Sequence, residues 1–155
     1  MSIATLRAAI VAKVAALPAI GVVHDRERYL DNQSALRALY VSTFPEGERL
    51  QGWYVSWTDM NPTSRDERED VWTIVGYRAV HDESSSETEF ALLADQVVQA
   101  FRDYDPLGQP GVTTLNASQP GPSLEAMDHV MFCGVLCHRV AVKLITASYT
   151  AVQGQ

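Results

Sequence analysis

The strongest constraint on this chain is its longest apolar run, His129 to Ala147, where hydrophobic side chains recur with a period of two. Val130, Phe132, Leu136, Val140, Val142 and Leu144 fall on one face of an extended chain, and Met131, Cys133, Val135, Cys137, Ala141 and Ile145 on the other. A strand that is apolar on both faces must be covered on both. The run is also roughly three times the usual strand length of about five or six residues. Either Gly134 bends or bulges it so that it serves two surfaces, or part of it pairs outside its own sheet.

Two earlier segments carry the same signature. Leu50 to Thr58 places Trp53, Val55 and Trp57 on one side and Tyr54 and Ser56 on the other. Val71 to Val80 places Trp72, Ile74 and Val80 on one face and Val71, Val75 and Tyr77 on the other, which predicts a central strand. Between them, Asp59 to Asp70 is rich in Asn, Pro, Ser and charge and predicts a long projecting excursion rather than a tight turn. Gly21 to Val23 predicts a short extended segment, and Ser34 to Val41 either a short helix or an irregular crossover.

Helical periodicity is clearest at two places. Ile3, Leu6, Ile10, Val14 and Leu17 share one stripe, with Ser2 as N-cap and Pro18 as stop, while the many alanines leave a helix that can be packed on two sides. Ser86-x-x-Glu89 predicts a capping box, followed by Phe90, Leu93, Ala94, Val97, Val98 and Phe101 on an inward face that leaves Leu92 outside. Tyr104 to Asp128, rich in Pro and Gly, predicts a long loop in which only Val112 to Leu115 is extended. At 155 residues the chain predicts one domain over 1–150, with a frayed tail over 151–155.

Composition removes several classes of function. The net charge of −7 disfavours a protein that neutralises nucleic-acid phosphates. Two cysteines are too few for a disulfide scaffold, and the apolar opening from Ala8 to Val23 is interrupted by Lys13 and Pro18, short of a membrane span. Cys133, Cys137 and His138 suggest a metal or redox cluster, but on a strand the two sulfurs begin about 13 Å apart and His138 faces the other way. His24-Asp25 and His81-Asp82-Glu83 read as polar loop and strand exits, and Arg65 and Arg68 as members of a self-screened charge run. No G-x-S-x-G, H-E-x-x-H, P-loop or G-x-G-x-x-G pattern occurs, so no catalytic, cofactor-binding or metal residue is assigned.

The order of elements carries more than any motif. An opening helix with LRAAIVAKV, a two-stranded excursion ending in DVWTIVGYRAVHDES, a helix ETEFALLADQVVQAFR and a final VMFCGVLCHRVAVKLITAS together resemble the tail terminator proteins of long-tailed bacteriophages, over about Ser2 to Ala147. The resemblance implies an α+β domain with a mainly antiparallel, twisted sheet and helices packed on it. It further implies a hexameric ring in the virion, built in the bacterial cytoplasm, at the head-proximal end of the tail. Such a ring ends tail-tube polymerisation, meets the tail-tube and head–tail connector proteins, and lets DNA pass without sequence-specific binding. The negative charge suits a conduit wall that repels phosphates. Expected interface residues are Asn61, Arg65 and Arg68 in the excursion, Leu92 on the helix and Leu107 in the Pro/Gly segment. A related neck, connector or minor tail protein is the nearest alternative reading. More distant is a small hydrolase or metal-dependent enzyme using His81 or His138.

Overall fold

A computed structural model describes residues 2–102, 107, 112–114 and 121–149. The fold is α+β: a curled, mostly antiparallel sheet with three helices packed on it. In chain order the elements are α1 (Ile3–Ala15), β1 (Val22–His24), α2 (Gln33–Ala38), β2 (Val41–Phe44), β3 (Gly47–Pro62), β4 (Glu67–Ala79), a 3-10 turn (Asp82–Ser84), α3 (Ser86–Ala100), β5 (Val112–Thr113), β6 (Ser123–Phe132) and β7 (Val135–Tyr149). The sheet runs β1-β3-β4-β7-β5, with β2 also on β3 and β6 also on β7. Among the described residues only the β1–β3 pairing is parallel.

The apolar parities of the central strands sort into two cores. Trp53 and Val55 of β3, Trp72 and Ile74 of β4, and Val140, Val142 and Leu144 of β7 pack beneath Leu6, Ile10 and Val14 of α1 and Phe90, Leu93 and Val97 of α3. On the opposite face Tyr54, Val75 and Ala141 join Tyr40, with Leu36, Leu39, Tyr77 and Phe132 around them. Fully buried aromatics of this kind each remove about 150–250 Å² from water, on the order of 4–6 kcal/mol of gross stabilisation. Trp53 sits directly over Gly76, where an added Cβ would lie 2.5 Å from its ring carbons. Its indole nitrogen donates to the Ile20 carbonyl at 2.8 Å, fixing the chain between α1 and β1.

The expected first helix forms with Ser2 as its cap, the Ser2 hydroxyl accepting from Thr5 N–H at 3.1 Å. The uncertain 34–41 segment resolves into α2, capped by Asn32, and the start of a strand, β2, that the pattern had not separated. Ser86-x-x-Glu89 is not a capping box. Ser85 occupies the N-cap in a left-handed conformation (φ 56°) without a side-chain cap bond, so Ser86 already lies inside the helix and aims its hydroxyl at the sheet.

The long final run is not one strand. Cys133 (φ 50°) and Gly134 (φ 81°) form a two-residue turn with both φ values positive, the pattern of a type I′ hairpin, and Phe132 pairs with Val135. Crossing this turn reverses the parity of the first arm. Val130 and Phe132 therefore share a face with Cys137 and Ala141, not with Val140 and Val142 as the uninterrupted alternation implied. The expected 59–70 excursion is likewise mostly strand: Met60, Asn61 and Pro62 pair with Asp70, Glu69 and Arg68, after a bulge between Trp57 and Asp59. The expected loop to Asp128 is shortened from its end, because β6 starts at Ser123. Of its extended portion, Val112–Thr113 forms β5; the expected frayed tail lies outside the described residues.

Backbone and packing effects can be separated at two glycines. A Cβ at Gly134 meets nothing closer than Gln33 Oε1 at 3.9 Å, so Gly134→Val should lose about 1–2 kcal/mol through conformation alone. Cys133→Asn should gain about 1 kcal/mol, because Asn tolerates the left-handed region. Gly76→Ala, by contrast, should cost about 1–3 kcal/mol by overpacking against Trp53. Urea unfolding of the three variants measures all of these; an unchanged midpoint for Gly134→Val would contradict the turn.

Candidate functional site

The strands β3 and β4 continue past the covered part of the sheet as a ribbon, and the end of β7 accompanies them, Glu67 pairing with Tyr149 and Asp70 with Thr146. From Trp57 to Arg65 the ribbon is mostly exposed, and it carries Trp57, Met60 and Tyr149 at 40%, 39% and 49% exposure. Its base is tied by Asp70, which is buried. Asp70 Oδ1 accepts from Trp57 Nε1 at 3.1 Å and from Arg68 Nη2 at 2.6 Å, and Oδ2 accepts from Arg68 Nε at 3.2 Å. The paired carboxylate raises the Arg68 pKa above its ordinary value. At the tip, Glu67 O accepts from Thr63 N–H and Ser64 N–H at 3.1 and 3.2 Å. The outer edge of β3 beyond Tyr54 has no strand partner among the described residues, and neither has the outer edge of β6.

The expected interface residues are not all brought together. Asn61 and Arg65 are exposed on the ribbon, and Arg65 borders a shallow recess with Met60, Pro62 and Arg68. Arg68 belongs to the ribbon but is engaged by Asp70. Leu92 is 61% exposed on α3, outside the ribbon. Leu107 is a correction: it is packed in the main core at 7% exposure, because an apolar side chain in a Pro/Gly segment is drawn under the sheet rather than left outside.

A second assembly of polar side chains crosses the sheet on its α3 side. Register aligns Gln51 of β3, Arg78 of β4, His138 of β7 and His129 of β6 in one transverse row. The first three are buried. Gln51 donates to the Ala19 and Ile20 carbonyls at 2.8 and 2.9 Å, and Arg78 Nη2 meets Glu89 Oε2 of α3 at 2.6 Å. Ser86 Oγ accepts from His81 N–H and lies 2.8 Å from His138 Nε2. Burial pushes the His138 pKa down, aided by His129 and Arg78 and opposed by Glu87, which favours a neutral ring in this pair. Both partners are at most 3% exposed, which makes the pair a latch holding the start of α3 on β7 rather than a nucleophile open to substrate.

Sequence reasoning named His138 but missed the row. Its signal was present: Gln51, Arg78 and His138 are the polar members of otherwise apolar parities, Gln51 with Trp53 and Val55, Arg78 with Trp72 and Ile74, His138 with Val140 and Val142. Cys137 is buried, and burial pushes its thiol up to about 11; Cys133 stands in the turn. His24 bonds the Leu39 carbonyl at 2.6 Å, and His81 Nδ1 lies 2.9 Å from Ser84 Oγ. Among the described residues no three His, Cys, Asp or Glu side chains converge as metal ligands, and no helix is long and apolar enough to cross a membrane.

Comparison with known proteins returns the fold. No family model and no curated protein matches the sequence. One solved chain, whose name states no function, is 18% identical with a TM-score of 0.51, the match covering 96% of each chain. That likeness speaks to architecture alone.

The latch makes a pH-dependent expectation. Because the folded pKa of His138 is depressed, below about pH 6.5 the unfolded chain takes up a proton that the fold resists, so stability falls with pH there. His138→Asn should flatten the change in unfolding free energy between about pH 7 and 5.5. An identical pH profile in the variant and the parent would contradict the assignment.

Proposed function

We propose that this chain is a phage tail-terminator-like assembly protein that forms a ring on the end of a tail tube. The observation that carries this reading is the three-stranded ribbon, which extends beyond the main core with Trp57, Met60 and Tyr149 exposed on it. A small domain gains nothing in its own stability from apolar side chains held in water, whereas a subunit interface buries them. Among the described residues the outer edge of β3 in this ribbon has no strand partner, and β6 supplies another such edge on the far side of the sheet. Two different edges on one chain suit a head-to-tail contact, which closes into a ring when the rotation between copies permits.

The remaining surface is consistent with this role. Ala4, Ala8, Ala12 and Ala15 are exposed along α1, a face narrow enough for close approach by another element. The charge of −7 suits a passage that DNA phosphates cross without adhering. The order of opening helix, two-stranded excursion, helix and final apolar run is the layout on which the resemblance to tail terminators rests. A neck or connector protein would use the same surfaces at a neighbouring position.

Two changes to the ribbon test the reading. The double substitution Trp57→Asp and Met60→Asp should leave the circular dichroism spectrum of the subunit intact but abolish rings in electron micrographs. Deleting Asn61 to Arg65 should leave the subunit folded while phage that carry it make overlong tails that do not join heads. Normal tails and heads from the deletion, or its failure to fold, would overturn the assignment of the ribbon as the assembly element. Overlong tails distinguish a terminator from a connector, whose loss leaves tail length unchanged.

A further inference from the structure

Beside α3 the row of buried polar groups opens into a cavity of about 740 Å³ whose wall includes Arg78, Arg49, Glu46 and Glu89. Arg78 is 3% exposed, and its Nη2 forms an ion pair with Glu89, whose side chain is half exposed. Its Nε and Nη1 have no hydrogen-bond partner among the described residues. Orphaned donors on a buried cation are disfavoured, so a fold that keeps two of them retains them against a steady penalty. Arg49 stands on the same wall, its Nε donating to Gln51 Oε1 at 3.1 Å. Its pKa is lowered by burial and then by the neighbouring Arg78, and Glu46 and Glu89 on the same wall oppose that shift.

We propose that this cavity is a binding site for an aliphatic carboxylate, gripped by Arg78 with Arg49 beside it. The two oxygens of a carboxylate match the guanidinium fork, which a single-point acceptor does not. Nε lies on the Nη2 side of the guanidinium, so a ligand carboxylate that takes the place of the half-exposed Glu89 carboxylate accepts from Nη2 and Nε together. Glu46 and Glu89 disfavour a phosphate dianion, and a monoanion is repelled less. The rest of the lining selects the body of the ligand. Leu50, Ala79, Val80, Leu92 and Leu93 offer aliphatic surface, and the volume is that of a small-molecule site rather than of a single ion. The site lies on the α3 side of the sheet, away from the ribbon, and does not depend on ring formation.

Hexanoate is a suitable probe, with hexanamide as its uncharged match. Titration calorimetry on the full chain should give saturable binding of hexanoate at millimolar concentration or below, and the amide should bind roughly tenfold or more weakly. Arg78→Met should lose hexanoate binding by a similar factor while keeping the parent circular dichroism spectrum. Should that variant not fold, Leu92→Trp, a change at an exposed position on the cavity rim, should weaken hexanoate by obstructing entry. Absence of saturable binding, equal affinity for the amide, or unchanged affinity in folded Arg78→Met would each overturn the proposal.

Discussion

Close contact between the Trp53 indole and the backbone of Gly76 sets the geometry on which the rest of the structure depends. An indole can lie this near a neighbouring strand only where no Cβ intervenes, and Gly76 is directly opposite Trp53 in the β3–β4 ladder. With the ring thus lowered onto the sheet, its nitrogen reaches Ile20 O and anchors the connection that follows α1. Phe90 of α3 then packs at 5.3 Å between ring centroids. The two helices on this face, the parallel start of the sheet and the register of its central pair are therefore tied to one residue pair. Below it, toward the ribbon, Trp72 continues the core and donates to Thr146 Oγ1 at 3.0 Å.

The same sheet is finished differently at its two ends. Toward the start of α3 it closes on polar groups: Gln51 satisfies carbonyls of the 19–20 turn, Arg78 meets Glu89, and His138 meets Ser86. Charge and hydrogen bonding hold the helix at a fixed height there, where hydrophobic contact alone would let it slide. Toward the ribbon β3, β4 and β7 continue on the strength of backbone pairing and the Asp70–Arg68–Trp57 knot, with β3 exposed from Trp57 outward while Asp70, Thr146 and Ala147 stay buried. One end is thus shaped to enclose and the other to reach outward. The proposed carboxylate site and the proposed assembly element follow that division.

Much of this was legible in the residues. Period-two alternation identified both faces of β3 and β4, and the 3.6 period found α1 with its cap and the inward face of α3. The misreadings share a cause, which is that local chemistry did not announce the local geometry. Cys133 occupies a turn position where Asn, Asp or Gly is the usual signal, so the hairpin was concealed inside one continuous apolar run. Asn, Pro and charge in 59–70 suggested a loop, yet backbone pairing to β4 imposes a strand on them, a tertiary demand stronger than propensity. Ser86 and Glu89 have capping-box spacing, but the left-handed Ser85 shifts the helix start and commits both side chains to the sheet. Leu107 was placed outside because its neighbours favour turns; burial of one leucine outweighs them. Arg78 was passed over although it was the charged member of an apolar parity.

The central claim concerns self-association through the ribbon, and the mass of the purified protein in solution tests it most directly. Sedimentation equilibrium across a wide concentration range should show a closed ring of fixed size, in keeping with the proposed hexamer, at the upper end. Amide exchange read in the same samples should slow along Val55 to Pro62 as the ring forms. A single-chain mass at every concentration, with exchange at the ribbon edge unchanged, would contradict the account.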